Sequence, residues 1–416
     1  MESKKKEKRK IWDFPWSYKE SFFIAFGIVA IGFIIELLTN SSGGFGLHWP
    51  YNFIVLIAFL IYIAAVQSFW PKHPFVNWLS STQAAIASIC ALTILILLMG
   101  FIPQNTSESI DSDGIGLTHI VKNWAFIFSS IMLLVVLGFT TFKRLTSFSI
   151  KNLAFFLNHF GLWLILAAGF MGSADSSTFM MQIDEGGKTA QAFNLSNNKY
   201  NMPFAIELND FKMEEYAPKL VLYKIKGGKV DSDETELFSF EQGKKTIINN
   251  YEIEFDQYMN SAFYDSSGIV ESDREGTAPA AFIIVTNTNS GFKTEDWVSC
   301  GSFMMPGLRI NLDNDYHIAM NDPVAKKFSS DITVIETGKE PYNETIEVNK
   351  PFKIGTWKIY QLSYDENKGK WSKYSVFELV RDPWLIAIYI GIFMVLGGAV
   401  YLFWTGNFLR KESKNN

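Results

Sequence analysis

The chain has 416 residues, of which 48% are hydrophobic and 16% aromatic, a higher apolar content than soluble domains usually carry. Because the mean hydropathy is only +0.09, the apolar residues must be concentrated, which predicts membrane spans joined to a sizeable water-soluble part. The formal net charge of −5 argues against a nucleic-acid partner. The 2 cysteines form no CxxC or CxxCH pattern, so neither a disulfide framework nor covalently attached haem is supported.

The chain begins with a basic stretch, KKKEKRK, at positions 4–10. The apolar run that follows is longer than the core of a signal peptide, which has about 7–15 residues, and no small-residue cleavage site comes after it. We therefore predict an uncleaved first span.

Six apolar runs are long enough to cross a bilayer as helices, since about 20 residues span the hydrocarbon core. They are Ser21–Leu38, Trp49–Trp70, Gln83–Ile102, Ile120–Phe142, Leu153–Gly172 and Pro383–Thr405. At the last of these, Asp382 suits an N-cap and Pro383 the first helical turn.

The distribution of Lys and Arg predicts the orientation, because basic residues near span ends stay in the cytoplasm. The inside residues are the basic N-terminus, Lys143, Arg144 and Lys151, and, after the last span, Arg410, Lys411 and Lys414. The stretch 103–119 carries Glu108, Asp111 and Asp113 and is expected outside. Lys122, near the same span end, is weak evidence for the opposite orientation. Both termini are then cytoplasmic, and the long segment after the fifth span lies on the outer, periplasmic side of the inner membrane.

The segment 173–382 changes to a two-residue alternation with turn signals, the pattern of strands. The clearest examples are Lys219–Lys224, Tyr251–Phe255, Ala281–Val285 and Ile332–Glu336, punctuated by Gly-Gly at 227–228, Asn-Asn at 249–250 and Asn-Lys-Gly at 367–369. We expect an antiparallel β-rich domain, with a sandwich as the favoured form. A weak internal repeat, Lys219–Met259 against Asp331–Tyr364, suggests two related sheet units.

The predicted fold is thus an integral membrane α-helical protein of six spans with an extracytoplasmic antiparallel β-rich domain between spans five and six. Its parts are a cytoplasmic N-terminus (1–20), two helices (21–70), three helices (71–175), the β-rich domain (176–382), a final helix (383–405) and a cytoplasmic tail (406–416).

One histidine lies inside the fifth apolar run, where an ionisable side chain is costly enough to suggest a function. His159 is placed roughly 9 Å inside that run, at ~1.5 Å of rise per residue. Asn158 beside it is a second polar residue. Small residues on the same run, Gly161, Ala168 and Gly172, would let a neighbouring helix or a flat porphyrin approach closely.

The order of these segments resembles a known family. The resemblance rests on three tracts, LSSTQAAIASICALTILILLMGFIPQ, NWAFIFSSIMLLVVLGFTTFKR and FLNHFGLWLILAAG. An outer domain follows them, and it ends with IYQLSYD and then RDPW before the last span. The chain is similar over about 79–405 to ResB (CcsB), a component of system II cytochrome c maturation. The first two helices fall outside the usual four-span pattern.

The resemblance implies a function. Such proteins work with a second membrane protein of the CcsA (ResC) type, and together they carry haem b as a transient cargo across the membrane and present it to the CxxCH motif of apocytochrome c. Carried over, the intramembrane haem-iron ligand is His159. The tryptophan-rich motif of CcsA is absent here, so a separate partner is required. This chain would be an accessory subunit of the haem lyase rather than its catalyst, with no catalytic residue of its own.

Other interpretations stay open. A lone intramembrane histidine could simply hydrogen-bond across a helix interface. His48 and His119 sit at outer span ends, where an outer haem ligand could lie, but interfacial roles explain them better, since the resemblance assigns the outer haem ligands to CcsA. His317 is expected to be an ordinary surface or strand residue. The second hypothesis is a membrane-anchored scaffold or apocytochrome chaperone that does not itself bind haem. A membrane insertase also joins an outer β domain to several spans, but the order of parts differs.

Overall fold

The computed structural model describes residues 11–39, 46–104, 114–145, 152–241, 243–266 and 268–412. Much of the orientation argument falls on residues outside these ranges, namely the basic run at 4–10, Glu108, Asp111, Asp113, Lys151 and Lys414. The chain separates into two compact units, 1–178 with 381–416, and 179–380. We call them the helical unit and the β unit.

The helical unit contains six helices long and apolar enough to cross a membrane among the described residues, as expected of a multi-pass membrane protein. With one short helix, α3, they are α1 (Tyr18–Thr39), α2 (Tyr51–Phe69), α3 (Pro74–Leu79), α4 (Thr82–Phe101), α5 (Trp124–Leu145), α6 (Leu153–Gly172) and α7 (Leu385–Glu412).

Three helices, α2, α5 and α7, begin later than the apolar runs suggest, and at α5 and α7 local side chains set the start. Residues Leu117–Lys122 form a 3-10 helix, and α5 begins only after Asn123, whose side-chain oxygen accepts a 2.8 Å hydrogen bond from the Ala125 amide. Likewise α7 begins at Leu385, and Asp382 accepts a 3.1 Å hydrogen bond from the Trp384 amide instead of standing directly at the cap.

The strands of the β unit are all joined by antiparallel ladders where a register is defined. They are β1 (Ser177–Asp184), β2 (Lys188–Phe193), β3 (Lys199–Glu215), β4 (Leu220–Lys226), β5 (Lys229–Phe238), β6 (Lys245–Ile248), β7 (Tyr251–Asp265), β8 (Gly268–Glu271), β9 (Ala278–Asn287), β10 (Lys293–Ser299), β11 (Arg309–Asn311), β12 (Tyr316–Met320), β13 (Ala325–Glu336), β14 (Tyr342–Glu347), β15 (Phe352–Ile354), β16 (Trp357–Tyr364) and β17 (Tyr374–Arg381).

Within the described residues of the β unit, these strands build three sheets with two cores. An 8-stranded sheet runs β14-β13-β3-β2-β1-β17-β16-β15, and all of its strands contribute to one buried cluster, so the sheet curls around its own core. A sheet built on β10-β9-β7-β6 and a second, β11-β12-β4-β5, share the other core, which gives the expected sandwich. The antiparallel β-rich prediction is therefore confirmed.

The two segments of the suggested repeat each fold as two consecutive hairpins. In the first, β4 pairs with β5 and β6 with β7; in the second, β13 pairs with β14 and β15 with β16. The first pair of hairpins is divided between the two sheets of the sandwich, whereas the second lies within the 8-stranded sheet. The likeness thus extends to strand pairing and not to the sheet arrangement.

Candidate functional site

The end of α6 is fixed by the carboxylate of Asp175, which accepts several hydrogen bonds. Asp175 accepts hydrogen bonds from the Trp49 amide (2.9 Å), the Asn52 side chain (2.7 Å) and the Trp384 indole (2.8 Å). Burial alone would raise the pKa of the Asp175 carboxyl, but these hydrogen bonds outweigh it and hold the pKa below its usual value. The starts of α2 and α7 are thereby tied to the end of α6.

Halfway along α6, a buried tryptophan joins it to α5. The Trp163 side chain is 1% exposed, and its indole donates a 3.0 Å hydrogen bond to the Leu134 carbonyl. Its ring stacks against Phe160 at 5.9 Å between centroids. The indole N–H thus finds its acceptor within the helix bundle. This hydrogen bond fixes the rotation of α6 about its own axis and its position along that axis relative to α5.

The small residues of α6 allow another helix to pack closely against it. A Cβ added at Gly161 would lie 2.8 Å from the Gly391 carbonyl oxygen, and one added at Gly391 would lie 2.7 Å from the Gly161 carbonyl oxygen. Gly172 meets Trp384 in the same way. Of the two occupants that these residues allowed, a neighbouring helix or a porphyrin, α7 takes the place along this face.

His159 lies one helical turn after Phe155 and is only half-buried. Its Nδ1 is 2.9 Å from the Phe155 carbonyl oxygen. A carbonyl can only accept, so this hydrogen bond places the ring proton on Nδ1 and leaves the lone pair on Nε2. Among the described residues Nε2 has no hydrogen-bond partner. The ring is oriented as a metal-ligating imidazole is, with one nitrogen hydrogen-bonded and the other available.

A second contact holds the His159 ring from the side. Phe155 stacks on it at 3.6 Å between centroids and 23° between planes. The Arg144 guanidinium lies 3.9 Å over the Phe155 ring. This stack places a cation of the α5 end close to the one histidine inside a span.

Asn158, the other polar residue of this run, points to a different side of α6. A Cβ added at Gly398 would lie 2.7 Å from its Oδ1, so its amide is packed on α7. Successive residues of a helix are about 100° apart, so His159 is displaced from the α7 contact face by that step. The two polar residues therefore serve different surfaces.

The remaining histidines are distributed over the chain and do not gather around His159. His119 Nδ1 lies 3.1 Å from the Thr118 hydroxyl, His73 accepts from the Phe75 amide at the start of α3, and His317 pairs with Asn311 at 2.8 Å. His48 is 3.6 Å from Asp175. Among the described residues, no group of three or more His, Cys, Asp or Glu side chains could hold a metal ion.

Other polar residues of the spans and the closing tract have structural partners. Glu36 of α1 accepts a 3.2 Å hydrogen bond from the Trp124 amide at the start of α5. Gln361 of β16 is buried and accepts a 2.7 Å hydrogen bond from Ser330. Both therefore serve the fold.

Sequence reasoning missed the Asp175 cluster altogether. Its members come from positions more than 100 residues apart, such as Trp49 and Asp175. Asn52 inside an apolar run and Asp175 at the end of another were the available signals, since polar residues at such places need partners.

The β unit carries a cleft of about 500 Å³ that the sequence did not indicate. It is lined by residues from β3, the start of β9 and the loops before β9 and after β10, β12 and β16, including Thr277, Cys300 and Lys368. The Thr277 hydroxyl is buried and has no hydrogen-bond partner among the described residues. Burial raises the pKa of the Cys300 thiol to about 12, and the Asp322 carboxylate adds to the effect, so the thiol is neutral at pH 7.

Comparison with known proteins adds a family to these observations. No curated protein matches the chain. Residues 274–378, about a quarter of the chain, match the model of the ResB-like family. The matched stretch begins just before β9 and ends within β17, and it contains Thr277, Cys300 and Lys368 of the cleft. This match confirms the resemblance to ResB, a family linked to cytochrome c biogenesis.

Proposed function

We propose that this chain is a subunit of a system II cytochrome c synthase that helps to carry haem b across the inner membrane. With a CcsA-type partner it presents the haem to the CxxCH motif of apocytochrome c. In this role the haem is a transient cargo, and the subunit holds and orients it without breaking or forming its covalent bonds.

The observation that carries the proposal is the state of the His159 ring. Its Nδ1 is 2.9 Å from the Phe155 carbonyl and its Nε2 has no partner among the described residues. An imidazole that served only to bridge two helices would have hydrogen-bond partners on both ring nitrogens, or would lie within the α6–α7 contact. The His159 ring does neither. A haem iron accepts the free lone pair of such a ring as an axial ligand.

Haem iron has two axial positions, and this arrangement supplies one. The second ligand is expected from the CcsA-type partner, together with the groups that act on apocytochrome c. His159 is in the N-terminal half of α6, and the basic residues Lys143 and Arg144 favour a cytoplasmic side for the neighbouring helix end under the positive-inside rule. This position suits a site loaded from the cytosol.

The test is co-expression with a CcsA-type partner and comparison of purified complexes. His159→Ala is expected to lose most of the b-type haem absorbance and cytochrome c yield, and added imidazole is expected to restore part of the absorbance. The matched control is His317→Ala, whose ring pairs with Asn311 in the β unit. Full haem content in His159→Ala would overturn the assignment of this ligand.

A second function is favoured by one specific observation. The family match covers most of the cleft lining of the β unit and not α6. In this alternative the chain is a membrane-anchored scaffold or apocytochrome chaperone that does not bind haem itself. Lys368 lies 5.3 Å over the Phe303 ring at the cleft, and the Phe303 side chain is 42% exposed, so both can be replaced without opening a core.

The two functions differ in their response to point variants. The scaffold predicts that Phe303→Ala with Lys368→Ala abolishes cytochrome c maturation while His159→Ala leaves it intact. The haem-handling subunit predicts loss of haem in His159→Ala with normal haem content in the cleft variant.

A further inference from the structure

The cleft of the β unit has one wall that is folded tightly upon itself. The loop after β10 forms this wall, and Gly301 lies in it at φ +77°, a left-handed conformation that favours glycine. A Cβ added at Gly301 would lie 2.6 Å from the Gly307 amide nitrogen and 2.7 Å from the Met305 carbonyl oxygen. The Ser302 hydroxyl donates to the Gly276 carbonyl, which fastens the loop to the segment before β9.

Another wall is held by a tryptophan of the 3-10 helix Gly369–Trp371. The Trp371 indole donates a 3.0 Å hydrogen bond to the Thr277 carbonyl oxygen. The Lys370 ammonium lies 5.3 Å from the centre of the Trp371 ring and 3.3 Å from the Ser261 hydroxyl. Both walls are thus fixed by contacts within the β unit. The volume between them, about 500 Å³, is within the range of about 300–1,000 Å³ typical of ligand sites.

The floor of the cleft offers one polar group that is not used. Thr277 lines the cleft and is 2% exposed, and its hydroxyl has no hydrogen-bond partner among the described residues. Ala278 and Pro279 beside it are buried, and the Cys300 thiol is neutral at pH 7 because burial raises its pKa. A buried polar group without a partner is unfavourable, so a ligand that supplies one is favoured. An uncharged polar group, such as a peptide amide, suits this floor.

The charges at the cleft have an excess of carboxylates. The charged lining residues are Glu215, Asp322, Glu366, Lys368 and Lys370. Of the two ammonium groups, that of Lys368 lies 3.8 Å from the Glu275 carboxylate, outside the lining. Asp322 and Glu366 are exposed and form no ion pair with any residue that the structure describes. The uncompensated charge is therefore negative, and it favours a cationic ligand.

These features distinguish between classes of ligand. Haem and anionic phospholipids carry negative groups, which unpaired carboxylates repel. A free diamine would satisfy the carboxylates but would bring a methylene group or a charged nitrogen to the neutral floor, where a charge is costly. A polypeptide has both required groups, because its backbone supplies neutral amides and a lysine side chain supplies a cation on a long apolar stem.

We propose that the cleft binds a lysine-bearing segment of a polypeptide. In this arrangement a backbone amide of the segment bonds to the Thr277 hydroxyl, and the carboxylates of Asp322 and Glu366 attract the lysine ammonium. The inference goes beyond the haem function, since it involves neither haem nor His159. It gives the β unit a ligand class of its own.

The experiment is fluorescence anisotropy with the full chain in nanodiscs and a dye-labelled, terminally blocked peptide, Gly-Ala-Leu-Lys-Ala-Gly. Saturable binding is expected, and Asp322→Asn combined with Glu366→Gln is expected to weaken it by about tenfold or more. The matched control, Asp296→Asn with Glu344→Gln, removes the same charges from exposed positions outside the cleft and is expected to leave binding unchanged. Equal weakening by the control, or no saturable binding, would overturn the proposal.

Competition separates a polypeptide from a small cation. The same peptide with glutamate in place of lysine is expected to bind more weakly by about tenfold or more. Cadaverine, a free diamine, is expected to compete much more weakly than the unlabelled lysine peptide. If cadaverine competes as well as that peptide does, the cleft is a site for a small amine and the polypeptide assignment is wrong.

Thr277→Val tests the floor at nearly constant volume and charge. Because the hydroxyl has no partner among the described residues, its replacement by a methyl group is expected to leave the melting temperature unchanged or to raise it. Peptide binding is expected to fall severalfold in this variant and to persist in Thr277→Ser, which keeps the hydroxyl. Unchanged binding in Thr277→Val would contradict the proposed hydrogen bond.

Failure of this site and failure of the haem function are distinguishable, because the readout is a peptide and not haem. His159→Ala is expected to bind the peptide as the wild type does. Loss of peptide binding in His159→Ala would overturn a separate site in the β unit, whatever the haem content of that variant.

Discussion

The indole Nε1 of Trp384 donates a 2.8 Å hydrogen bond to Oδ2 of Asp175, and so ties the start of α7 to the residue just beyond α6. The two residues are 209 positions apart in the sequence, with the whole β unit inserted between them. The chain that leaves the helical unit after α6 is thereby fixed beside the point where it returns. The same carboxylate accepts hydrogen bonds from the Trp49 amide and the Asn52 side chain at the start of α2.

Asp175→Asn is expected to destabilise the helical unit. An amide presents an N–H group to donors that the carboxylate accepted, and hydrogen bonds to a charged group contribute about 1.5–3 kcal/mol each. We expect a loss of about 2–3 kcal/mol in the free energy of unfolding, measured by denaturation in mixed micelles. Trp384→Phe keeps the ring and removes one donor, so it should lose less. A larger effect of Trp384→Phe would contradict this account.

The pH dependence of stability follows from the same carboxylate. Its pKa in the folded protein lies below the ordinary value of 3.8, so its stabilising contribution is fully present above that value. The contribution is lost as the pH falls through the lower pKa of the folded state. The difference in melting temperature between the wild type and Asp175→Asn should therefore be constant near neutral pH and shrink below about pH 4. If the difference in melting temperature stayed the same down to about pH 2, the effect of the variant would come from altered packing and not from loss of the carboxylate charge.

The membrane spans could be predicted from sequence because a span depends on a local property, the length of an apolar run. The ends were less predictable, since Asn123 and Asp382 set them through single hydrogen bonds. Strand lengths were underestimated for a different reason. In β7, predicted as Tyr251–Phe255 and observed to Asp265, register shifts after Phe255 and Met259 interrupt the two-residue alternation on which the prediction relied.

The candidate site divides in the same way. His159 was recognisable because a titratable residue inside an apolar run is locally anomalous. His48 was noted as a histidine at an outer span end, but its proximity to Asp175 was not predictable, because the two residues are far apart in sequence and polar residues are ordinary at span ends. Only the folded chain brings them to 3.6 Å.

The β unit should fold without the helices. All strands of the 8-stranded sheet contribute to its own core, and β1 and β17, the first and last strands, are neighbours in it. A fragment of residues 177–381 is expected to be soluble, with a β-type circular dichroism spectrum and a cooperative melt. A fragment of 188–381 lacks β1, exposes the edges of β2 and β17 and is expected to aggregate. Equal behaviour of the two fragments would contradict the placement of β1.

Cys300 should react slowly in spite of its position in a cleft. Its pKa is raised from 9.0 to about 12 by burial and by Asp322, so the thiolate fraction at pH 8 falls by about a thousandfold. In a Cys90→Ser background, alkylation of the native protein is expected to be slower than that of the denatured protein by roughly that factor. Asp322→Asn should speed the reaction severalfold. Equal rates in the native and denatured states would show a normal thiol.

Gly161 and Gly169 provide a matched pair, since both lie on α6 and only their surroundings differ. An added Cβ at Gly161 would lie 2.8 Å from the Gly391 carbonyl and 2.9 Å from the Met394 side chain, whereas at Gly169 it would meet nothing within 4 Å. Gly161→Ala should therefore force α6 and α7 apart and lower stability by about 1–3 kcal/mol, the usual cost of overpacking.

Gly169→Ala should have the opposite sign, because alanine favours a helix by about 1 kcal/mol over glycine where no contact opposes it. Unfolding in mixed micelles measures both variants in one protein. A stabilised Gly161→Ala would mean that α7 can move away from α6 at no cost. In that case the close approach at Gly391 would not fix the helix that carries His159.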